Sequence, residues 1–561
     1  MEYLFNFESL LDDLFHKKSK IEVELDETEI HSNLDIFTTG VNNKNRSVFN
    51  TLVEPITKQG VIYLQKRLSQ SRTLQEIKRE QKELIFLLKN PEILNEIYTI
   101  LRFIQKQEDS LLWCITDKTG SEIDSLSSGY FQHEFLQFLN KYSSVLFLMN
   151  VFTLLIAPIY STLSPVIITI MPYFYFKFFT KIPVSFGVYF KIVKNQLFNF
   201  PKISMIKKMT LFSILTKLLS WIIYFQSVYS NTKTSQKTKV ILIGIQEKLE
   251  SIVKIVKLNN NLHQILETTP IEHQVINRNS ILPKHKSFEK VFNSYTHDWS
   301  PVLQEYNKII QFVSVKEKLR EDIKHMYQSW GHIDFLVSLA RTLIEGEWCI
   351  PYFRKDNIPY LSIKDMYHPS LKGSCIKNTI KMENENMLIT GPNASGKSTL
   401  LKTTAIGVFL AHRLGIAPGK RMETSYFRYI YTHLNIQDAT GKESLFQREA
   451  NKIKKQIQMM NQKDGLHFSI IDELFHSTNP GEAVKGAKWI LSQINNNPRV
   501  MCLLSTHFHD LTVSDSSIDK FKCYHIPFIR DEKGKIKYTY TLQPGVSQQN
   551  VALEILQNTD D

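Results

Sequence analysis

The chain has few of the residues that build disulfide-bonded or zinc-bound scaffolds. Its 561 residues include five cysteines, and no two of them form a Cys-x-x-Cys pair. An odd, unpaired set argues against a disulfide framework and against a cysteine-based zinc site. The first 30 residues are rich in acidic side chains, unlike a secretory signal peptide. We therefore expect an intracellular protein, and the length predicts several domains.

Acidic residues and arginine are missing from one long internal segment. Between Phe135 and Gln246 the sequence contains twelve lysines but no Asp, Glu or Arg. The whole chain has 68 basic and 55 acidic residues, a net charge of +13, so this segment contributes +12 and the remainder +1. The excess charge is local, which differs from the diffuse basic surface typical of many DNA-binding proteins.

The same segment is strongly apolar. Residues 143–176 run for 34 residues without a charge, and residues 209–229 form a second apolar stretch that only Lys217 interrupts. Because a bilayer-spanning helix needs about 20 apolar residues, the pattern predicts a membrane-associated insert over residues 143–230. Residues 177–208 carry seven lysines among aromatic side chains, as at an interface with anionic lipids. A buried helical pair is the alternative, and the topology of the insert stays open.

A phosphate-binding loop is the most specific motif. Residues 391–399 read GPNASGKST, which fits G-x-x-x-x-G-K-[ST], and they lie between an apolar run and a helical pattern. Glycines let backbone N–H groups surround phosphate oxygens, and the helix N-terminus adds positive potential. Lys397 is predicted to reach the β- and γ-phosphates of ATP, and Ser398 to ligate Mg²⁺. The predicted nucleotide-binding residues are Gly391, Pro392, Asn393, Ala394, Ser395, Gly396, Lys397, Ser398 and Thr399.

Two further motifs follow apolar strands. The run that ends at Ile471 leads into Asp472 and Glu473. Asp472 is predicted to hold the Mg²⁺ shell, and Glu473 to polarise the attacking water. His507 follows another apolar run, where polar residues face the ligand crevice of an α/β sheet, so it is predicted to sense the γ-phosphate. A structural role is the alternative for this histidine.

In this order, the motifs resemble the ATPase domain of MutS-related proteins, relatives of the ABC ATPases. The phosphate-binding loop, residues 472–483 and residues 505–511 match the motifs of that family. His368-Pro369 is a further match upstream. The resemblance is most specific over about residues 346–515 and implies an ATPase of the P-loop, ABC/MutS type.

Weaker similarity extends to the helical core of that family and to its subunit contacts. Residues 49–64, residues 77–87 and residues 333–340 resemble segments of the core, although the last two also fit ordinary amphipathic helices. Residues 441–449 resemble the signature loop, with one residue more than usual before Ser444. The resemblance implies a homodimer of ATPase domains in which Ser444, Thr478 and Asn479 cross the interface. A helix cap is the alternative role for Ser444.

The sequence departs from the family where DNA is recognised. Members that read mismatches carry a Phe-x-Glu wedge in an N-terminal domain, and the roughly 45 residues before Phe49 contain no such wedge. The apolar insert also lies where the family has a DNA-gripping clamp. We therefore expect any DNA binding, to mismatched or branched duplex, to be weak, salt-dependent or dependent on a partner. The physiological DNA substrate is left open.

The predicted fold is multidomain, α and α/β. A helical core and lever domain carries the hydrophobic helical insert and precedes a P-loop, ABC-like α/β ATPase domain. The predicted boundaries are 1–47 for an N-terminal extension, 48–142 for the first half of the lever helices, 143–230 for the insert, 231–345 for the returning lever helices and 346–561 for the ATPase domain.

Three functional hypotheses follow. The first is an ATP-dependent DNA-binding ATPase of mismatch repair or a related DNA transaction, in which ATP binding and hydrolysis move the levers. The second is a membrane-anchored switch of the same type without mismatch recognition, bound to membrane lipids through the insert. The third is a structural protein with a degenerate nucleotide pocket, which the intact Lys397, Ser398, Asp472, Glu473 and His507 disfavour.

Overall fold

The computed structural model describes residues 27–37, 47–115, 301–371, 375–392, 394–434, 445–475, 478–512, 516–530 and 536–547, with most of 131–198 and part of 219–269. These residues form mixed helical and α/β structure with several sheets. The chain divides into a first unit, Met1–Tyr98 with Gly331–Asp561, and a second unit, Thr99–Trp330. The five boundaries predicted from the sequence stay predictions.

The helices that precede the sheets are amphipathic. α3 begins at a capping box, in which the Thr73 hydroxyl accepts from the Glu76 N–H and the Glu76 carboxylate accepts from the Thr73 N–H. Its buried face includes Ile77, Leu84 and Leu87, at helical spacing. The helices in this part of the chain are α1 (Glu27–Asn33), α2 (Lys58–Ser69), α3 (Leu74–Lys89) and α4 (Pro91–Ile115).

A six-stranded sheet forms the centre of the first unit. Its order is β14-β11-β5-β10-β9-β8, with five parallel strands and β14 antiparallel at one edge. β5 is buried along its whole length, and so is β10, as expected for parallel strands covered on both faces. The strands are β5 (Asn386–Thr390), β8 (Phe427–His433), β9 (Leu466–Asp472), β10 (Val500–Ser505), β11 (Phe521–His525) and β14 (Gln543–Pro544).

Three smaller sheets and three further helices complete the described part of the first unit. A four-stranded sheet has the order β2-β7-β3-β4, and β1 pairs with β6, as β12 does with β13. The strands are β1 (Trp348–Cys349), β2 (Tyr352–Phe353), β3 (Tyr360–Met366), β4 (Asn378–Glu383), β6 (Ala417–Pro418), β7 (Arg421–Thr424), β12 (Phe528–Arg530) and β13 (Ile536–Tyr538). The helices are α9 (Lys397–Leu414), α10 (Leu445–Gln462) and α11 (Pro480–Asn495).

A polar joint connects two distant segments of the first unit. The buried carboxylate of Asp334 accepts from the N–H groups of Ile56 and Thr57, at 3.0 and 2.6 Å, and from the Thr57 hydroxyl at 2.7 Å. A Cβ at Gly60 would lie 2.2 Å from Asp334 Oδ2, so this position needs glycine. Asp334 lies in α8 (Pro301–Glu345), which extends from the second unit into the first.

The predicted membrane-spanning helix is not found among the described residues. No helix there is both long enough and apolar enough to cross a bilayer. The described part of the uncharged run includes α5 (Ser143–Val151) and α6 (Ala157–Phe178). α7 (Phe186–Phe198) follows, and residues 221–230 are helical. Residues 199–218 lie outside the described residues.

Candidate functional site

The carboxyl ends of three neighbouring strands meet at one edge of the main sheet. Ser505, the last residue of β10, is paired with Ile389 of β5 on one side and with Asp472 of β9 on the other. The Thr506 N–H also donates to the Ile389 carbonyl at 3.0 Å. The segments that follow β5, β9 and β10 are therefore neighbours, as is usual for ligand sites in open α/β sheets.

The loop between β5 and α9 has a backbone that favours glycine at two positions. Gly391 has φ 149° and Gly396 has φ 97°, and Gly396 directly precedes the first residue of α9. A Cβ at Gly396 would lie 3.0 Å from the ring of Tyr540. Ala394 also adopts a left-handed φ of 65°. The N-terminus of an 18-residue helix therefore opens at the end of the loop, where it favours an anion.

Lys397 lies buried at the start of α9. Its Nζ donates to the carbonyls of Gly391 and Pro392, at 2.9 and 3.1 Å, and lies 4.0 Å from Oε1 of Glu473. Burial lowers the pKa of this ammonium, against the opposing effect of Glu473 and Asp472. Among the described residues, Ser395 Oγ is buried without a hydrogen-bond partner. The loop thus combines a cation held on neutral acceptors with an unsatisfied hydroxyl.

Asp472 and Glu473 are held against the end of β10. The Ser505 hydroxyl donates to the Asp472 carboxylate, and the Glu473 N–H approaches the Ser505 carbonyl at 3.3 Å and its hydroxyl oxygen at 3.2 Å. Glu473 has a left-handed φ of 51°, which is uncommon for a residue other than glycine. The turn directs the chain away from the strand immediately after the paired carboxylates.

A cavity of about 530 Å³ opens beside these groups. Lys397, Ser398, Thr399 and Glu473 contribute polar atoms to one part of its wall. The remaining wall is mainly aromatic and apolar, formed by Met366, Tyr367, His368, Leu371, Cys375, Ile376, Asn378, Ala394, Gly396, Leu400, Thr403 and Tyr540. Burial lowers the pKa of His368 to about 4, so this histidine is neutral at physiological pH. The cavity wall thus combines Lys397 and Glu473 with aromatic and apolar side chains.

Several predicted residues lie away from this cavity or outside the described residues. His507 is exposed, its ring is tilted by 42° against that of Phe508 with centroids 4.1 Å apart, and it does not line the cavity. Asn479 is the N-cap of α11, where its side chain accepts from the Gly481 N–H at 3.1 Å, and Thr478 precedes it. Asn393 and Ser444 lie outside the described residues. The trans contacts of Ser444, Thr478 and Asn479 stay predictions.

Two residues near the catalytic groups were not singled out from the sequence. Tyr540 lines the cavity from a segment far along the chain from Gly396, and no local spacing signals that approach. Glu449 is buried on α10 and accepts a hydrogen bond from the Phe475 N–H at 3.1 Å. An acidic residue at a buried position of an amphipathic helix was the available signal for Glu449.

Residues 387–560 match the family model of MutS domain V. The matched range includes the loop after β5, the carboxylates after β9 and the segment after β10. The resemblance recognised in the sequence is thereby confirmed for this part of the chain.

Similarity to whole MutS proteins is partial. The chain is similar to proteins named DNA mismatch repair protein MutS from Chloroflexus aurantiacus (27% identity over 236 residues) and Leuconostoc mesenteroides (24% over 284). A third such relative is from Clostridium kluyveri (25% over 350). These alignments cover 40%, 46% and 59% of this chain. The chain spans 24%, 32% and 38% of the respective relatives.

Proposed function

We propose that this MutS-related chain binds ATP with Mg²⁺ and hydrolyses it, and that it acts in DNA mismatch repair or a related DNA transaction. The observation that carries the proposal is the convergence of Lys397, Ser398, Thr399 and Glu473 on one cavity. Its volume of about 530 Å³ suits a nucleotide-sized ligand. The aromatic and apolar lining residues offer a surface for the base, and Lys397 receives the phosphates.

The donor set near the loop fits a magnesium ion. Mg²⁺ prefers hard oxygen ligands and is commonly held by one or two side chains together with substrate phosphates. Ser398 and Asp472 supply a hydroxyl and a carboxylate of this kind, and the Ser505 hydroxyl fixes the orientation of Asp472. When bound, Mg²⁺ neutralises negative charge on the phosphate oxygens.

Lys397 and Glu473 have separate roles in hydrolysis. Lys397 exchanges its two backbone carbonyl acceptors for phosphate oxygens, which makes its buried charge favourable. Glu473 polarises the attacking water from the cavity wall. Its left-handed backbone, held on Ser505, fixes where that carboxylate points.

Two substitutions test this assignment. Lys397→Ala is expected to abolish binding of a fluorescent ATP analogue, because the phosphates lose their buried cation. Glu473→Ala is expected to bind the analogue normally and to lose turnover by about a hundredfold or more. Lys420→Ala and Glu383→Ala remove exposed charges of the same two types and serve as controls. Wild-type turnover in Glu473→Ala would show that another group activates the water.

The dimer expected from the resemblance is part of the proposal. Two ATPase domains pair face to face, with Ser444 and the Thr478-Asn479 segment at the interface. Light scattering of Glu473→Ala with bound ATP is expected to show a dimer, since nucleotide is held without turnover. A strict monomer at micromolar protein would contradict pairing, and the ATP-free protein is the control.

The DNA partner also belongs to the proposal. We expect weak, steeply salt-dependent binding to duplex DNA, resting on phosphate contacts. Fluorescence anisotropy with matched, mismatched and branched duplexes, with and without ATP, measures this binding. If the purified chain binds mismatched duplex about tenfold or more tightly than matched duplex, it contains a mismatch-recognition site that the sequence did not reveal.

A second candidate function is attachment to an anionic membrane surface, and one observation favours it. Helix α6 exposes an apolar stripe at spacings of one, three and four residues, with exposed fractions of 38–65%. The stripe comprises Ile159, Tyr160, Leu163, Ile167, Met171, Phe174, Tyr175 and Phe178. Tyr173 of the same helix is buried against Phe186 and Tyr189 of α7, with ring centroids 5.1 and 5.5 Å apart. An exposed apolar surface of this extent usually marks a binding surface.

The charge of the surrounding sequence complements an anionic surface. The twelve lysines between Phe135 and Gln246 are not offset by any acidic residue in that range. Lys177 follows the stripe closely, with its Nζ 5.9 Å from the ring centroid of Phe178. Each lysine near anionic headgroups contributes about 1 kcal/mol to binding. Apolar burial and lysine attraction thus act on the same surface.

Vesicle flotation tests the attachment. The full chain is expected to float with vesicles of phosphatidylcholine and phosphatidylglycerol, and much less with phosphatidylcholine alone. Leu163→Glu and Met171→Glu place a charge on the stripe and should reduce flotation about tenfold or more. Ile529→Glu, at an exposed apolar residue of the first unit, is the matched control. Equal flotation of the stripe variants and wild type would contradict a role for this surface.

A further inference from the structure

The segment that follows Glu473 is held in an unusual conformation. Glu473 and Phe475 have φ of 51° and 57°, so two left-handed residues flank Leu474. The left-handed region disfavours residues with a side chain by about 1–2 kcal/mol each. Such a conformation persists only where the surroundings hold it in place. The contacts that hold it therefore also fix the direction of the Glu473 side chain.

One end of this segment is fixed by β10 and the other by α10. At the first end, the Glu473 N–H is held by Ser505. At the second, the Phe475 N–H donates to Oε2 of Glu449 at 3.1 Å. Glu449 is 1% exposed, so its carboxylate acts in an environment where a hydrogen bond is strong.

The ring of Phe475 is fixed at the same place. It lies 5.0 Å, centroid to centroid, from the ring of Phe446, which is also on α10. On its other side is Gly486 of α11, where an added Cβ would lie 3.0 Å from the ring. Leu474 and Phe475 are 2% and 3% exposed within the hydrophobic core. A side chain at position 486 has no room unless the Phe475 ring moves.

We propose that Glu449 is a positioning residue for ATP hydrolysis, which acts through Phe475 on the backbone that carries Glu473. This inference rests on the proposed ATPase function. Glu449 itself does not line the nucleotide cavity. Because Phe446 and Glu449 both lie on α10 and contact Phe475, they join that helix to the segment that carries the catalytic carboxylate. A displacement at the start of α10 is thereby transmitted to Glu473.

The first test separates turnover from binding. Glu449→Ala is expected to lower kcat by about ten- to hundredfold, because a carboxylate displaced by about 1 Å loses its alignment with the water. The KM for ATP and the affinity for an ATP analogue should stay within about twofold, since Lys397 and the loop are untouched. Glu449→Gln should restore kcat to within about threefold of wild type, because its amide oxygen still accepts from Phe475. Gln458→Ala, at an exposed position of α10, is the control.

The second test reaches the same segment from α11. Gly486→Ala replaces a glycine within α11 by a residue of higher helix propensity. Its Cβ nevertheless displaces the Phe475 ring, and kcat should fall about tenfold or more with KM unchanged. Gly481→Ala is the matched control in the same helix, because its Cβ would meet nothing nearer than 3.7 Å.

The outcomes are distinguishable. If wild type neither binds nor hydrolyses ATP, the proposed function itself fails. If wild type hydrolyses ATP and Glu449→Ala and Gly486→Ala turn over within twofold of it, only the positioning role is overturned. If Glu449→Ala does not fold, Glu449→Gln and Gly486→Ala decide. A loss in Glu449→Gln equal to that of Glu473→Ala, or an unchanged Gly486→Ala, overturns the inference.

Discussion

The strands of the main sheet and helix α6 use similar apolar residues in opposite ways. Ile470 and Leu503, in the sheet, are both fully buried. Ile159 and Leu163, in α6, are 57% and 47% exposed. The two segments differ little in composition, yet one forms a core and the other a surface. Apolar content alone therefore does not determine burial.

What differs is the structure available to cover each segment. The sheet carries helices whose apolar faces match it, so its strands are buried on both sides. Helix α6 buries Tyr173 against α7, whereas the apolar side chains of the stripe are exposed. An exposed apolar patch of this extent usually marks a binding surface. The contrast indicates that the first unit is completed by its own chain, whereas α6 favours an external partner.

Truncating one leucine in the sheet, Leu388, and one in α6, Leu163, tests whether the two segments differ in burial. In the sheet, Leu388→Ala removes a fully buried side chain of β5. It is expected to lower the free energy of unfolding by about 3–5 kcal/mol, because both transfer energy and a cavity contribute. Urea unfolding followed by circular dichroism measures the change. A loss below about 1 kcal/mol would show that β5 is not a rigid core strand.

The first unit and residues 135–246 also differ in their titratable side chains. In the first unit, Glu83 of α3 lies 3.5 Å from Nε2 of His332, and burial, reinforced by the negative charge of Glu80, raises the pKa of Glu83 to about 7. Burial also lowers the pKa of His332 to about 3. Glu83 and His332 are thus buried without charge between about pH 3 and pH 7, beside the buried ion pair of Arg72 and Glu80. Residues 135–246, by contrast, contain no acidic side chain.

Glu83→Gln should stabilise the protein at high pH. As pH rises from 4.5 to 7, Glu83 ionises first in the unfolded chain, so wild type loses up to about 3 kcal/mol of stability over that range. Glutamine has no proton to lose, so the variant should exceed wild type by up to about 3 kcal/mol at pH 8 and match it near pH 4.5. His332 has the opposite pH dependence: the protein loses stability as pH falls from 6.5 to 3, because the unfolded chain binds the proton first. This contribution is the same in wild type and variant, since both contain His332. Urea midpoints at the two pH values measure the difference; an equal effect at both would contradict a raised pKa.

The smallest effect is expected on α6. Leu163→Ala removes a side chain that is 47% exposed, so it should change the free energy of unfolding by less than about 0.5 kcal/mol. The same substitution should still weaken vesicle flotation, because the lost apolar surface is the surface offered to lipid. The measurement is the urea midpoint of the protein in the absence of lipid. Destabilisation close to that of Leu388→Ala would show that α6 is covered in solution.

The sequence predicted the local parts of this structure better than the approaches between them. The strand before residue 391 and the helix after it follow from hydrophobic patterning, and β5 and α9 lie there. Helix α8 lies within residues 231–345, for which the sequence predicted returning lever helices. Thr57 and Asp334 lie in two segments that each resembled the family core, but only the folded chain shows their hydrogen bonds.

The missed features depend on distant contacts. Tyr540 reaches Gly396 from the other end of the domain, and Glu449 reaches Phe475 across two elements. No period or spacing encodes such approaches, because they arise from the order of strands in the sheet. The membrane-spanning helix predicted from the uncharged run is not found among the described residues.

The joint between Thr57 and Asp334 affects the order in which the chain can mature during synthesis. The two residues are 277 positions apart, with the whole second unit between them. The first unit therefore cannot close until Asp334 has left the ribosome, by which time the second unit has been made. Closure entropy grows only slowly with length, by about 0.6 kcal/mol for each doubling. The intervening unit can accordingly be lengthened or exchanged at little cost to the joint, which makes it the part of the molecule freest to diverge.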